Sequence, residues 1–227
     1  MCTRFHLEVD REGVGEMVAA VAGSRLAGRF LKAGKALRTE GDARPTDVVA
    51  VVAPGRDGRR AAFAMQWGFR MPGGGLVVNA RVETAARKAS FSESWLGRRC
   101  AVPAAWYYEW EHRIGPTGRK VAGDKFIIRP AGGAVAWLCG LYRMEGEWPV
   151  FAVLTRAAAG RLAEIHDRMP LVLPGELLDE WIRPGGRPEA LAGRAVTEMV
   201  AEREGVLEEV EGAAVDGLGG HDASGRH

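Results

Sequence analysis

The chain has 227 residues, 47% hydrophobic and 26% charged, which are ordinary globular values that exclude wholesale disorder and suit one domain or a domain with a tail. Apolar runs such as Val48–Pro54 fall far short of the ~18 residues a membrane-crossing helix needs. Lys+Arg number 31 against 29 Asp+Glu, so net charge does not announce a nucleic-acid partner; such a partner would need a local basic groove.

In chain order, Asp10 is placed to cap a first helix with Val14, Met17, Val18 and Val21 on one face, ended by Gly23 and Ser24. A second helix is predicted over Leu26–Leu37, anchored by Phe30 and Leu31, and Asp42–Thr46 reads as a loop. Val48–Ala53 is a β-branched apolar run typical of a buried strand, Pro54–Gly58 a turn, and Ala61–Gln66 the return strand. Pro72–Gly75 is a loop with no phosphate-binding signature. Further strands are predicted at Arg99–Val102, Trp106–Trp110, Phe126–Arg129, Val135–Tyr142 and Val150–Thr155, and helices at Ala157–Ile165 and Gly175–Trp181. The pattern after Ala195 is ambiguous, and Gly212–His227 reads as a frayed tail. The expectation is an α+β fold, a mostly antiparallel sheet or partial barrel with flanking helices, in a single domain over 1–211 followed by a tail over 212–227.

The three cysteines, Cys2, Cys100 and Cys139, have no CxxC pair, so neither a zinc ribbon nor a thioredoxin-type site is available, and with this odd count a disulfide framework is not expected. The other histidines, His6, His112, His221 and His227, show no metal-ligand spacing. The N-terminus has no apolar segment of the signal-peptide kind, and the expected location is cytoplasmic, with nucleoid association when bound to DNA. Asn79 is the only asparagine and Gln66 the only glutamine, so these two amides invite a chemical or structural reason.

Four segments carry chemistry. If Met1 is removed, Cys2 presents an α-amine beside a thiol, with reference pKa values of ~7.7–8.0 and ~8.5. Such a 1,2-aminothiol condenses with an aldehyde to an imine and then closes a thiazolidine, which no internal cysteine can do. In Asn79-Ala80-Arg81-Val82-Glu83-Thr84, Asn79 offers donors and an acceptor and Arg81 a planar fork for phosphate; a plain strand end with a turn is the bland alternative. In Arg99–Trp110, aromatics flank Glu109, a setting that raises a carboxyl pKa and holds a general acid; the alternative is a core strand with Glu109 facing water. Strand alternation puts Trp106, Tyr108 and Trp110 on one face and Tyr107 and Glu109 on the other. In Glu164–Pro170, His166 sits at a helix end and is either a proton shuttle or structural.

Taken together and in this order, Met1-Cys2-Thr3-Arg4-Phe5, Asn79–Thr84, Arg99–Trp110 and His166-Asp167-Arg168-Met169-Pro170 resemble the SRAP family (SOS response-associated peptidase, the abasic-site shielding proteins). Gln66-Trp67-Gly68 is similar to the family's Trp-Gly segment, whose second Trp is absent here, and Thr3 stands where the family has glycine. The resemblance runs from Met1 to about Glu208. It implies binding of single-stranded DNA at abasic sites and, after self-removal of Met1, a covalent thiazolidine crosslink through Cys2. It further implies Cys2, Asn79, Glu109 and His166 as catalytic residues, and Arg4, Trp67, Arg81, Trp110 and Arg168 as DNA contacts. No metal or cofactor, no membrane partner and a monomer are expected. A thiol peptidase acting on other polypeptides, with Cys2 as nucleophile and His166 as base, is the rival.

Overall fold

The computed structural model describes residues 2–11 and 13–205. Strand β1 (Phe5–Leu7) buries Phe5 and Leu7 and turns His6 outward. Helix α1 (Val14–Ala22) buries Val14, Val18 and Val21 as their spacing predicts, but its N-cap is Gly13 at φ 74° and not Asp10. A left-handed entry suits glycine, which has no Cβ to clash. Helix α2 (Arg25–Lys32) begins at Ser24, whose side chain accepts the Ala27 N–H. It stops short of the predicted Leu37 because Gly34 takes φ 76°, and Leu31, the expected anchor, is 64% exposed while Phe30 is fully buried. The predicted loop at Asp42–Thr46 overlaps a short strand, β2 (Gly41–Ala43), zipped to β1.

Strands β3 (Val48–Pro54) and β4 (Arg60–Trp67) form the expected hairpin, paired from Val48↔Gln66 to Pro54↔Arg60. Short elements follow: β5 (Phe69–Arg70) and β6 (Leu76–Val77) around the glycine loop, β7 (Asn79–Arg81), α3 (Val82–Ala85) and α4 (Ser92–Gly97). The central strands β8 (Arg99–Ala104), β9 (Trp106–Ile114), β10 (Lys120–Pro130), β11 (Ala136–Glu145) and β12 (Trp148–Ala157) stand where the sequence puts them; all extend further than expected, though β11 starts one residue later, after Val135. The helix expected over Ala157–Ile165 shrinks to α5 (Leu162–Ile165), because β12 keeps its pairing to β13 (Arg168–Pro170) through Ala157. Beyond lie β14 (Val172–Leu173), α6 (Leu178–Ile182), α7 (Pro188–Ala192) and β15 (Met199–Arg203), with a 3-10 turn over Gly175–Leu177 splitting the helix expected at Gly175–Trp181. The expected tail and the boundary at residue 211 lie outside the described residues.

One sheet runs β15-β10-β9-β1-β2, antiparallel throughout. A second runs β13-β12-β4-β3-β8-β11-β14 with β7 added beside β12, and β12 also pairs with β11, so its middle strands return on themselves as a partial five-strand barrel; β5 and β6 form a small third sheet. The architecture is therefore the mostly antiparallel α+β fold with flanking helices. Val49, Val51, Cys100, Val102, Phe151 and Val153 fill its interior, and a ring cluster of Phe5, Trp67 and Phe151 ties β1 to the barrel. This junction brings the N-terminus onto the barrel mouth, beside β7 and β9. None of the described helices is long and apolar enough to cross a membrane.

Candidate active site

Cys2 is fully buried, with its Sγ 3.7 Å from the Arg4 carbonyl. The Cys2 carbonyl accepts a hydrogen bond from Asn79 Nδ2 at 2.7 Å. Asn79 is held in place because β7 lies parallel to β12, with Asn79↔Val153 and Arg81↔Thr155 in register. The other end of its amide, Oδ1, is buried with no hydrogen-bond partner among the described residues. Thr3 needs no glycine-like backbone: among the described residues the one non-glycine at positive φ is Thr46.

Glu109 is 3% exposed and shares the inward face of β9 with buried Tyr107, as strand alternation predicts. Burial raises its carboxyl above the usual carboxylate range. Its Oε1 accepts the Trp110 N–H at 3.3 Å and lies 4.0 Å from Nε2 of His166. His166, buried just after α5, has its imidazole pushed down to about 4 by burial, so it is neutral at physiological pH. Two groups compete for its Nδ1: the Arg168 N–H donates to it at 2.9 Å, and Asp167 Oδ1 lies equally near at 2.9 Å. The neutral ring fits the Arg168 bond, which makes Nδ1 an acceptor and leaves the proton on Nε2, facing Glu109; a protonated ring would turn to Asp167. Burial, and next the nearby Glu109 charge, push the Cys2 thiol up to about 12. The thiol is therefore held protonated near neutral pH.

Tyr107 belongs to this group and the sequence did not single it out for chemistry. It is 1% exposed, its hydroxyl has no partner among the described residues, and burial together with the Cys2 and Glu109 charges drives its pKa well up. Its shared strand face with Glu109 was the available signal.

The candidate DNA contacts divide. Trp67 cannot be a stacking platform: it is fully buried between Phe5 and Phe151, and its indole N–H donates to the Val78 carbonyl at 3.0 Å. Phe5 of β1 and Phe151 of β12, both distant in sequence, pack against its ring and hold it in the core. Trp110 is half-buried, with the Lys125 ammonium 5.7 Å from its ring centre. Arg81 is exposed. Arg4 is occupied by Asp42, which also accepts from Tyr108 Oη and pairs with His6. Arg168 grips Glu83 through two bonds at 2.7 and 2.8 Å and donates to the Thr155 carbonyl at 2.6 Å. These two arginines thus hold the frame around the site in the unbound protein. Asp42 carried no signal in the sequence, and Glu83 stood out there only as part of the Asn79–Thr84 segment. A cleft of about 810 Å³, lined in part by Arg25, Phe63 and Tyr142, contains none of these residues.

The sequence model for SOS response associated peptidase (SRAP) matches residues 1–213, and the chain belongs to that family. It is 32% identical to the abasic site processing protein YedK of Escherichia coli over 146 residues, 61% of this chain and 58% of that protein. It is 26% identical to the abasic site processing protein YoqW of Bacillus subtilis over 196 residues, 81% of each. A phage-related protein from Bordetella bronchiseptica superposes with a TM-score of 0.66 at 24% identity, covering 89% of this chain and 93% of that one. A Bacteroides thetaiotaomicron protein gives 0.64 at 16% identity, covering 89% and 91%.

Proposed function

We propose that this protein binds abasic sites in single-stranded DNA and captures them covalently through Cys2 once Met1 has been removed. The observation that carries this is the convergence of Cys2, Asn79, Glu109 and His166 from four distant segments, beside a thiol that burial keeps protonated. A protonated thiol is a poor first nucleophile, so the α-amine acts first. The amine adds to the C1′ aldehyde of the opened sugar and water leaves, giving an imine. The S–H of Cys2 then adds across C=N: sulfur bonds to carbon, the proton goes to nitrogen, and the thiazolidine closes with no redox change.

Each neighbour has a task suited to its environment. Asn79 Oδ1, buried and unpartnered among the described residues, accepts from the Cys2 amine. Glu109, with its raised pKa, supplies the proton that opens the sugar ring and expels water. Neutral His166 presents Nε2–H toward Glu109 and shuttles protons at the sugar. Arg81 and the half-exposed Trp110 offer a phosphate contact and a base platform. Arg4 and Arg168 reach DNA phosphate by sharing or leaving Asp42 and Glu83.

A thiol peptidase would need a depressed cysteine pKa, opposite to the direction here. Met1 removal is the one peptide cleavage assigned to the protein. The test is a variant carrying an uncleavable residue before Cys2. Aldehyde capture should vanish, because the amine is locked in an amide; a variant that still forms a stable adduct with abasic DNA would overturn the proposal.

A further inference from the structure

His112 and His166 are far apart in the chain, and neither has a spacing that suggests metal binding. The fold stacks them: their ring centroids are 4.0 Å apart at an interplanar angle of 53°. Asp167 completes a triangle, with Oδ1 at 2.9 Å from His166 Nδ1. One ligating atom from each of the three residues falls within 4.8 Å of the others. Around a tetrahedral zinc ion with bonds of ~2.0–2.1 Å, neighbouring ligand atoms sit about 3.4 Å apart. Modest side-chain rotations close that difference. His112 is exposed and the Asp167 side chain is 65% exposed, so an ion has a path from solvent.

We infer that His112, His166 and Asp167 form a binding site for a divalent transition metal ion, of which Zn²⁺ is the representative, and that the ion inhibits the covalent chemistry by occupying His166. Two imidazoles and one carboxylate suit zinc and its neighbours; magnesium and calcium prefer oxygen-only shells of six or more ligands. Three protein ligands leave a fourth position for water. Binding at Nδ1 displaces the Arg168 N–H and leaves Nε2–H in place, but Nδ1 can then take up no proton as Nε2 gives one up, so the ring no longer relays protons. The inhibitory half rests on the proton-transfer role proposed for His166; the binding half does not.

The test is titration of the full-length protein with Zn²⁺ against a chromophoric chelator, comparing wild type, His112→Ala and Asp167→Asn. A parallel His221→Ala/His227→Ala variant measures any contribution of the C-terminal histidines. His112 lies outside the proposed covalent machinery and its side chain is exposed, so His112→Ala should fold and crosslink abasic DNA as wild type does without metal. The expected result is one Zn²⁺ equivalent bound at least tenfold more weakly by His112→Ala and by Asp167→Asn, and unchanged by loss of the tail histidines. Equal affinity in wild type and His112→Ala would overturn the site. In the crosslinking assay, saturating Zn²⁺ should slow wild type at least tenfold, spare His112→Ala, and be reversed by EDTA. Zinc that binds wild type without slowing its crosslinking would overturn the inhibitory half. A wild type that binds zinc through His112 but never crosslinks, with or without metal, leaves the site standing and removes the proposed function.

Discussion

Glu109 and Arg81 separate chemistry from binding. Glu109→Gln keeps the shape and loses the proton, so crosslinking should slow by ~10²–10⁴-fold with little change in non-covalent DNA affinity. Arg81→Ala should instead weaken binding and flatten the salt dependence by about 0.7 log unit per log unit of salt, so high DNA concentration should restore its rate. Crosslinking rate against DNA concentration at two salt levels distinguishes them; recovery of Glu109→Gln at saturating DNA would show the roles reversed. His166 also marks stability. Its folded value of about 4 lies below the ordinary 6.5, so in that window the unfolded chain binds the extra proton. The stability due to neutral His166 is fully present above pH 6.5 and is lost as pH falls toward 4. The melting temperature of His166→Gln should therefore fall less than that of wild type between pH 7 and pH 5; an equal or larger fall would contradict the buried neutral ring.

At the scale of elements, β8 is pinned by a buried arginine. Arg99, 1% exposed, donates to the carbonyls of Trp181 at 2.7 Å, Trp95 at 2.5 Å and Leu96 at 3.1 Å, and also to Arg183, joining β8 to the ends of α4 and α6. Arg99→Leu would leave those buried carbonyls without a donor and should cost on the order of 3 kcal/mol, read as a lower denaturant midpoint. A change within 0.5 kcal/mol would show that water replaces the guanidinium. Strand positions were legible where apolar or alternating runs exist: β3, β8 and β12 needed only their own residues. Short pieces were not. β2, β7 and β13 have three residues each, too few to show a period, and exist because longer strands offer them an edge. α5 is shorter than the helix-forming composition of Ala157 to Ile165 suggests, because the β12–β13 pairing claims its start.

At the scale of the whole molecule, the site was legible as a list and not as a place. The scarcity of amides pointed to the right residues: Asn79 binds the Cys2 carbonyl, and Gln66 bridges the Thr46 carbonyl at 3.0 Å and Lys35 at 2.8 Å. Thr46 is the β-branched residue held at φ 78°, so Gln66 braces a strained turn. Burial of Trp67, the engagement of Arg4 and Arg168 by acids, and the meeting of His112 with His166 depend on contacts between segments far apart, which no local pattern encodes.

The central claim is that an N-terminal Cys2 forms a ring with an abasic-site aldehyde. Intact mass of the purified protein, alone and after incubation with abasic single-stranded DNA, tests it most directly. The expected spectrum shows a chain beginning at Cys2, then a heat-stable adduct equal to protein plus DNA minus one water. Cys2→Ala should give at most a reversible imine. A mature protein that retains Met1 yet crosslinks, or a heat-stable adduct as abundant in Cys2→Ala as in wild type, would contradict it.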